Sequence, residues 1–415
     1  MTAEKNSTIW NRAFTCAFIA NFLLCTSQNM VNPLVATYAG YLGATQVMIG
    51  VISGLYYGIA FAARPVSGPL ITKLNKKHIM LFAYTLGMIV NLGYAAAGGI
   101  PLFIVSRVLH GLQFAFIGSL NLTLASDSLP PEKMGSGLGL FGAGGATATA
   151  IAPSIGIALR AWGEAAFGSL RAGYTVVFLA AATCMLLALI PCLLMPYRQR
   201  SKEELASLGA WYKNIFAPEA VMPAVVIMFL SMAQILYTIY MEPYALARGN
   251  ENIGLFFTVY AFALLAARPL SGRLVDKYGI ARVLVPGLVI FGLSYVVVGF
   301  AGSLPVILVG AALAALGFGF AQPSMQVMII QSVSPLRRGV ASNTNYFGID
   351  FGYFIGPTLG GIAYAATGSY EKMFFLGTVP VLLALVIFLL GIKPFSKKML
   401  SRQAAEALAE EKSSS

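Results

Sequence analysis

Charge is what this sequence has least of. Of its 415 residues only 10% are Asp, Glu, Lys or Arg, with 15 acids and 2 histidines, while 58% are hydrophobic. A soluble domain carries about 25% charged residues, so a water-facing globule is excluded. The 4 cysteines, Cys16, Cys25, Cys184 and Cys192, all fall inside apolar runs without metal-ligand spacing. That pattern gives no metal site and no disulfide framework. There is no glycine-rich Lys-Ser/Thr phosphate loop, which excludes ATP hydrolysis through that motif. No nucleophile–base pair is visible, so neither an enzyme nor a bound cofactor is expected. The polar opening "MTAEKNSTIWNR" precedes an apolar run too long for a cleaved signal, and the first run is expected to remain as a span.

What fills the chain is apolar sequence. Crossing a bilayer takes roughly 20 apolar residues per helix, and such runs recur at 13–38, 46–70, 78–98, 101–126, 136–160, 172–196, 221–246, 252–272, 281–301, 304–330, 340–366 and 372–394. The expected fold is therefore all-α, an integral membrane protein of twelve spans. The net charge of +12 is a matter of placement. Among loop Lys and Arg only Arg160, Arg171, Arg248 and Lys372 fall on one side, and the rest lie on the other. The positive-inside rule then puts both termini in the cytoplasm. The basic balance is a topology signal, so no nucleic-acid partner is expected, and the lipid bilayer is the expected surrounding.

The sequence is written twice. "AARPVSGPLITKLNKKH" at 62–78 and "AARPLSGRLVDKYG" at 266–279 set Arg64-Pro65 and Arg268-Pro269 a constant 204 residues apart, and the same shift carries Pro131 and Gly135 onto Pro335 and Gly339. Toward the first span the shift grows, with Asn32-Pro33 read onto Glu242-Pro243 and a longer first outer loop in the N-terminal half. Six spans followed by six related spans give two halves of like orientation. The expected division is 1–196 and 221–394 for the halves, 197–220 for a cytoplasmic linker and 395–415 for a cytoplasmic tail.

Three motifs give the chain a family likeness. "GRLVDKYGIAR" carries Gly272, Asp276, Lys277, Gly279 and Arg282, while its N-terminal copy has Thr72 for the acid and Asn75 for the second glycine. "RVLHG" carries Arg107, His110 and Gly111, and "GYFIGPTLGG" carries Gly352, Gly356, Pro357, Gly360 and Gly361. In the fifth span only Pro153 and Gly156 of the latter pattern remain. Together these resemble the major facilitator superfamily, and within it the bacterial drug/small-molecule:proton antiporters. The resemblance implies a monomeric secondary transporter in a bacterial cytoplasmic membrane. It would move a small organic molecule by alternating access, with protons as coupling ion and efflux as direction. A proton-coupled importer of a sugar or organic anion, with Arg107 as anion ligand, is the alternative, and a transport-like sensor a more distant one.

Candidate residues follow from charge at depth, which is expensive in a membrane. Arg107, His110, Glu242 and Asp350 are the expected substrate or proton groups, with Tyr346 and Tyr353 on the helical face of Asp350 and Arg107 as its expected counter-charge. At the cytoplasmic ends a gating latch is expected from Arg64, Lys76, Lys77, Asp127, Arg268, Gly272, Asp276, Lys277, Gly279 and Arg282. In that reading Pro269 and Gly272 end their helix, Arg268 snorkels to the interface or binds carbonyls, the Asp276, Lys277 and Arg282 group forms ion pairs beneath the helix ends, and Asp127 faces Lys73, Lys76 or Lys77. Pro153, Gly156 and the Gly352–Gly361 group are expected to break their helices.

Overall fold

The computed structural model describes residues 8–44, 46–196, 202–248 and 254–414. Helices run almost end to end, because a chain crossing lipid must satisfy each backbone group internally. The first half consists of α1 (Arg12–Val31) continued through a short 3₁₀ turn into α2 (Val35–Tyr41), then α3 (Gln46–Lys73), α4 (Lys76–Ala96), α5 (Ile100–Asp127), α6 (Met134–Phe167) and α7 (Leu170–Leu194). A short α8 (Lys202–Ser207) lies in the linker. The second half consists of α9 (Val221–Leu246), α10 (Gly254–Tyr278), α11 (Ile280–Gly299), α12 (Leu304–Gln331), α13 (Arg338–Thr367), α14 (Tyr370–Leu376) and α15 (Thr378–Ser414). These are the twelve spans expected, α1 with α2 and α14 with α15 each counting as one.

The repeat reaches down to single hydrogen bonds. Tyr38 donates to the carbonyl of Ala97 at 2.7 Å, and Tyr244 donates to that of Val298 at 2.5 Å and approaches Ala301 at 3.4 Å. Gly168 and Gly368 end α6 and α13 in the left-handed region, at φ 70° and 63°, where a side chain would be strained. Ser169 and Ser369 then cap the next helix by accepting from Ala172 N and Lys372 N. The Tyr38–Tyr244 correspondence corrects one expectation. It shifts the first span by 206, so Glu242 falls opposite Ala36 and the first outer loop differs in length by far less than the Asn32–Glu242 match implied.

Two further corrections concern proline. α3 passes through Pro65 and Pro69, and α10 through Pro269 and Gly272. The break comes later, at Gly279, with φ 85°. In the first half Asn75 stands at that position and works differently, its Oδ1 accepting from Lys77 N at 2.9 Å as the cap of α4. The Pro153 and Pro357 motifs also lie within unbroken helices. Lipid offers the backbone no competing partner, which is why proline is tolerated there.

What the glycines of the last motif supply is close approach. Gly348, Gly352, Gly356 and Gly360 recur every four residues on the α13 face that meets α9. A Cβ at Gly356 would stand 2.8 Å from the carbonyl of Met232, the small-residue ridge that membrane helices use. Gly361 lies beside the Tyr240 hydroxyl, which donates to the carbonyl of Pro357 at 2.6 Å. Gly156 on α6 does the same service against α1, where a Cβ would meet Met30 O at 2.5 Å. Ten described helical stretches are long and apolar enough to cross a membrane; α13 is long enough but not among them. It carries Ser342, Asn343, Thr344, Asn345 and Asp350, all buried.

Candidate functional site

The buried polar face of α13 meets α3 in antiparallel register, and the contact is built in layers. Nearest the linker end, Thr72 lies against Gly339. One turn deeper, Asn343 Nδ2 donates to the carbonyl of Arg64 at 2.9 Å and its Oδ1 accepts from Ser67 Oγ at 3.3 Å. Then comes an ion pair: Arg64 Nε and Nη2 each stand 2.9 Å from Asp350 Oδ2, with both side chains fully buried. Beyond it Phe61 packs on Phe347 and Phe351, and Tyr57 meets Tyr353 edge-on at 5.5 Å. Asp350 sits twelve residues into α13, about 18 Å along the helix and near the middle of a bilayer about 30 Å thick.

Arg64 is held from three directions. Nη1 donates to Ala115 O at 2.7 Å, and the rings of Tyr346 and Phe114 lie 4.9 and 5.7 Å from the guanidinium. Two expectations are corrected here. Arg64 belongs to the central site, because α3 continues nine residues past it. The counter-charge of Asp350 is Arg64, and Arg107 is elsewhere. Arg107 lies toward the opposite end of the first half, donating to Ile52 O at 3.1 Å beneath the Tyr56 ring at 5.0 Å. His110 joins that cluster, its Nδ1 3.0 Å from Tyr94 Oη and its ring 4.8 Å from Tyr56. Tyr353 flanks Asp350 as expected, whereas Tyr346 covers its partner. Glu242 is on α9, but its side chain lies outside the described residues.

The repeat mate of this contact joins α10 to α6. Asp276 accepts from Gly135 N at 2.8 Å, Ser136 N at 2.7 Å and the Ser136 hydroxyl. A carboxylate thus caps the positive end of a helix in the other half. It forms no ion pair with Lys277 or Arg282 among the described residues, contrary to expectation; the amides take both of its oxygens. Gly272 permits the approach, since a Cβ there would meet the Gly135 carbonyl. Arg268 does not snorkel. It turns inward, Nη2 donating to Gln322 Oε1 at 2.5 Å.

Asp127 meets Lys76 as one of the expected lysines, Nζ to Oδ2 at 2.5 Å. A residue the sequence reading missed joins them: Arg338 Nη1 is 3.7 Å from Asp127 Oδ1 and donates to Ser126 O at 2.7 Å, bridging the halves. Lys77 instead donates to Leu193 O at 2.6 Å, at the end of α7. Lys76, Asp127, Glu204 and Arg338 line a cavity of about 390 Å³ at this end.

Every hydrogen bond, ion pair and ring contact formed between the halves by two described residues lies between the linker end and the Tyr57–Tyr353 layer. The molecule is closed on the linker side.

Comparison with known proteins agrees with this architecture. The family model of the Major Facilitator Superfamily matches residues 17–251 and 246–412. The chain is 28% identical over 423 residues to multidrug resistance protein MdtG of Enterobacter lignolyticus (strain SCF1), covering 96% of each. Among solved structures, the human organic anion transporter MFSD10 (TETRAN) is similar with a TM-score of 0.73 at 15% identity, covering 91% of this chain and 98% of that one. The transporter FucP in the outward conformation gives 0.73 at 15% identity, covering 90% and 97%.

Proposed function

Because the chain belongs to the Major Facilitator Superfamily, we propose that it is a proton-coupled exporter of small organic molecules in a bacterial inner membrane, with Arg64–Asp350 as the coupling pair. The single observation that carries this reading is a fully buried ion pair spanning two halves that must separate for the linker side to open. The charge bias of the loops supports the linker side as the cytoplasm, which makes the described state outward-facing. The efflux direction rests on the similarity to MdtG, whose name marks it as a multidrug resistance protein.

The physical cycle follows from what a proton does to the pair. Asp350 Oδ1 has no hydrogen-bond partner among the described residues, so it is the atom open to protonation. Neutral Asp350 leaves Arg64 buried with only Ala115 O and weaker contacts, and an uncompensated buried charge destabilises the closed interface. The linker side then opens. Loss of the proton to the cytoplasm, with capture of substrate between the halves, favours closure again. Asp276 on the Gly135–Ser136 amides and Arg338 on Asp127 act in this reading as latches that hold the closed state. Glu242 and His110 are secondary proton candidates, and Arg107 orders the outer part of the first half.

Transport direction tests the proposal. Everted vesicles energised to an inside-acid gradient should accumulate at least one member of a panel of anionic, neutral and cationic fluorescent compounds only when the protein is present, and dissipating the gradient should release it. Accumulation in whole cells instead would favour the import reading.

A further inference from the structure

The α10–α6 contact lacks what its repeat mate has. The 204-residue shift that carries Arg64 onto Arg268 carries Asp350 back onto Ala146, Tyr346 onto Gly142 and Asn343 onto Gly139. The cation is therefore kept, while the carboxylate that neutralises it, the ring that covers it and the amide beside it are all gone. Arg268 does not escape to water at the helix end. It lies against Gly142, tied by Nη2 to Gln322 Oε1 at 2.5 Å, and Nε has no hydrogen-bond partner among the described residues. No described carboxylate is within ion-pair distance of it. Its electrostatic neighbours are Tyr260, Tyr353, Cys25 and Tyr346, all of them neutral. Arg64 is fully buried, whereas Arg268 keeps some exposed surface. One arginine of the repeat is paired with a carboxylate and sealed. The other is held in place, uncompensated and accessible.

A charge at such depth is costly without a counter-charge, and none of the described residues supplies one. We propose that Arg268 binds the anionic group of the transported molecule: an organic acid with an aromatic or apolar body, whose carboxylate or similar oxyanion plays toward Arg268 the part Asp350 plays toward Arg64. Guanidinium suits this role because its planar fork matches a two-oxygen anion. Gln322 fixes the orientation of that fork from the α12 side. Tyr260, Tyr346 and Tyr353 are aromatic residues in its neighbourhood, and each lies close enough to Arg268 to interact with its charge. Tyr346 covers Arg64 and lies near enough to Arg268 to interact with its charge. The bound anion would therefore sit beside the residue that screens the coupling pair.

This inference rests on the transporter reading, so its test reads binding to purified full-length protein, which depends on neither direction nor coupling. Three probes share one aromatic body: 2-naphthoate, 2-naphthamide and 2-naphthylmethylammonium. Titrations followed by the thermal unfolding midpoint should show the carboxylate binding roughly ten-fold more tightly than the amide, the scale of one charge-assisted hydrogen bond. Ala146→Asp installs the missing acid and should abolish that preference. Ala146→Asn, of equal size but neutral, should keep it, and Arg268→Gln should lose it. An equal or absent response to the carboxylate in the native protein, or a preference that survives Ala146→Asp, overturns the proposal. The two readings fail separately. Export of the cationic or neutral probe by cells without any carboxylate preference would retain the transporter and remove the anion site. A carboxylate preference without flux of any probe would do the reverse.

Discussion

Replacing Asp350 by Asn is the most direct perturbation of the coupling pair, and the structure sets its scale. The substitution removes a carboxylate whose Oδ2 lies 2.9 Å from both Nε and Nη2 of Arg64, in a place with no solvent exposure. The arginine remains, still tied to Ala115 O at 2.7 Å. Breaking one member of a buried pair costs about 3–5 kcal/mol, because the survivor is an uncompensated charge. In the proposed cycle this cost falls on the closed state alone, since opening the linker side exposes Arg64 to water. A penalty of about 3 kcal/mol corresponds to a shift of roughly 10²-fold in the equilibrium between the two states. A cysteine placed at Ser67, buried in the α3–α13 contact, reports that equilibrium when the four native cysteines are replaced. Its labelling by N-ethylmaleimide should rise steeply in Asp350→Asn, and uphill transport should be lost. The double variant Arg64→Gln/Asp350→Asn removes both charges and should return labelling much of the way toward the native rate. Unchanged labelling in a folded Asp350→Asn protein that still concentrates substrate would refute the reasoning.

The other expectations are simpler to state. Asp276→Ala removes the acceptor for two backbone amides, so it should favour the open linker side by about 1–2 kcal/mol, read by the same labelling with drug affinity in binding assays unchanged. Gly356→Leu would drive a side chain into the carbonyl of Met232 and should lower the thermal midpoint by several degrees, while Pro357→Ala should have little effect because its helix is unbroken. Reporter fusions at Gly98 and Gly302 should report the periplasm and fusions at Lys202 and Ser415 the cytoplasm; a periplasmic signal at Lys202 would reverse the assignment of the closed side.

Much of this arrangement could be read from the sequence, and the errors share one cause. The apolar runs located the twelve spans, the constant shift located the two halves, and an acid at mid-span with tyrosines at helical spacing marked Asp350. Arg64 and Arg268 were misplaced because each precedes a proline at the apparent end of an apolar run. In water that pattern ends a helix, but here α3 and α10 run on for nine and ten residues beyond the arginine. That moves each guanidinium about 14 Å inward. Once Arg64 is placed at that depth, antiparallel register with α13 sets it against Asp350. The partner of Asp276 was hidden for another reason. Backbone amides at a helix start have no letter in the sequence, and only the repeated Gly135 hinted that something packs closely there. Arg338 was read as one more positive-inside charge, since nothing local distinguishes it from Arg337, which pairs with Glu219 at 2.8 Å.

The two contacts between the halves differ in where their acids lie, and the proposed cycle rests on that difference. Each contact has one acid at its centre of charge, but at different depths. On the α3–α13 side the acid is deep, at Asp350, and the latch position holds neutral Thr72. On the α10–α6 side the acid is at the surface, at Asp276, and the deep position holds Ala146. Asp276 is exposed, and the Gly135 and Ser136 amides take both of its oxygens, so this contact contains no buried ion pair for a proton to unbalance. A buried carboxylate whose charge is balanced by a single arginine is a different object. Its protonation removes the balance, and the cost falls on the contact that contains it. The repeat thus supplies two similar faces, and in the proposed cycle the placement of the two acids makes the α3–α13 face the one that a proton opens. In the proposed reading the other keeps Arg268, oriented by Gln322, for a charge that arrives from outside.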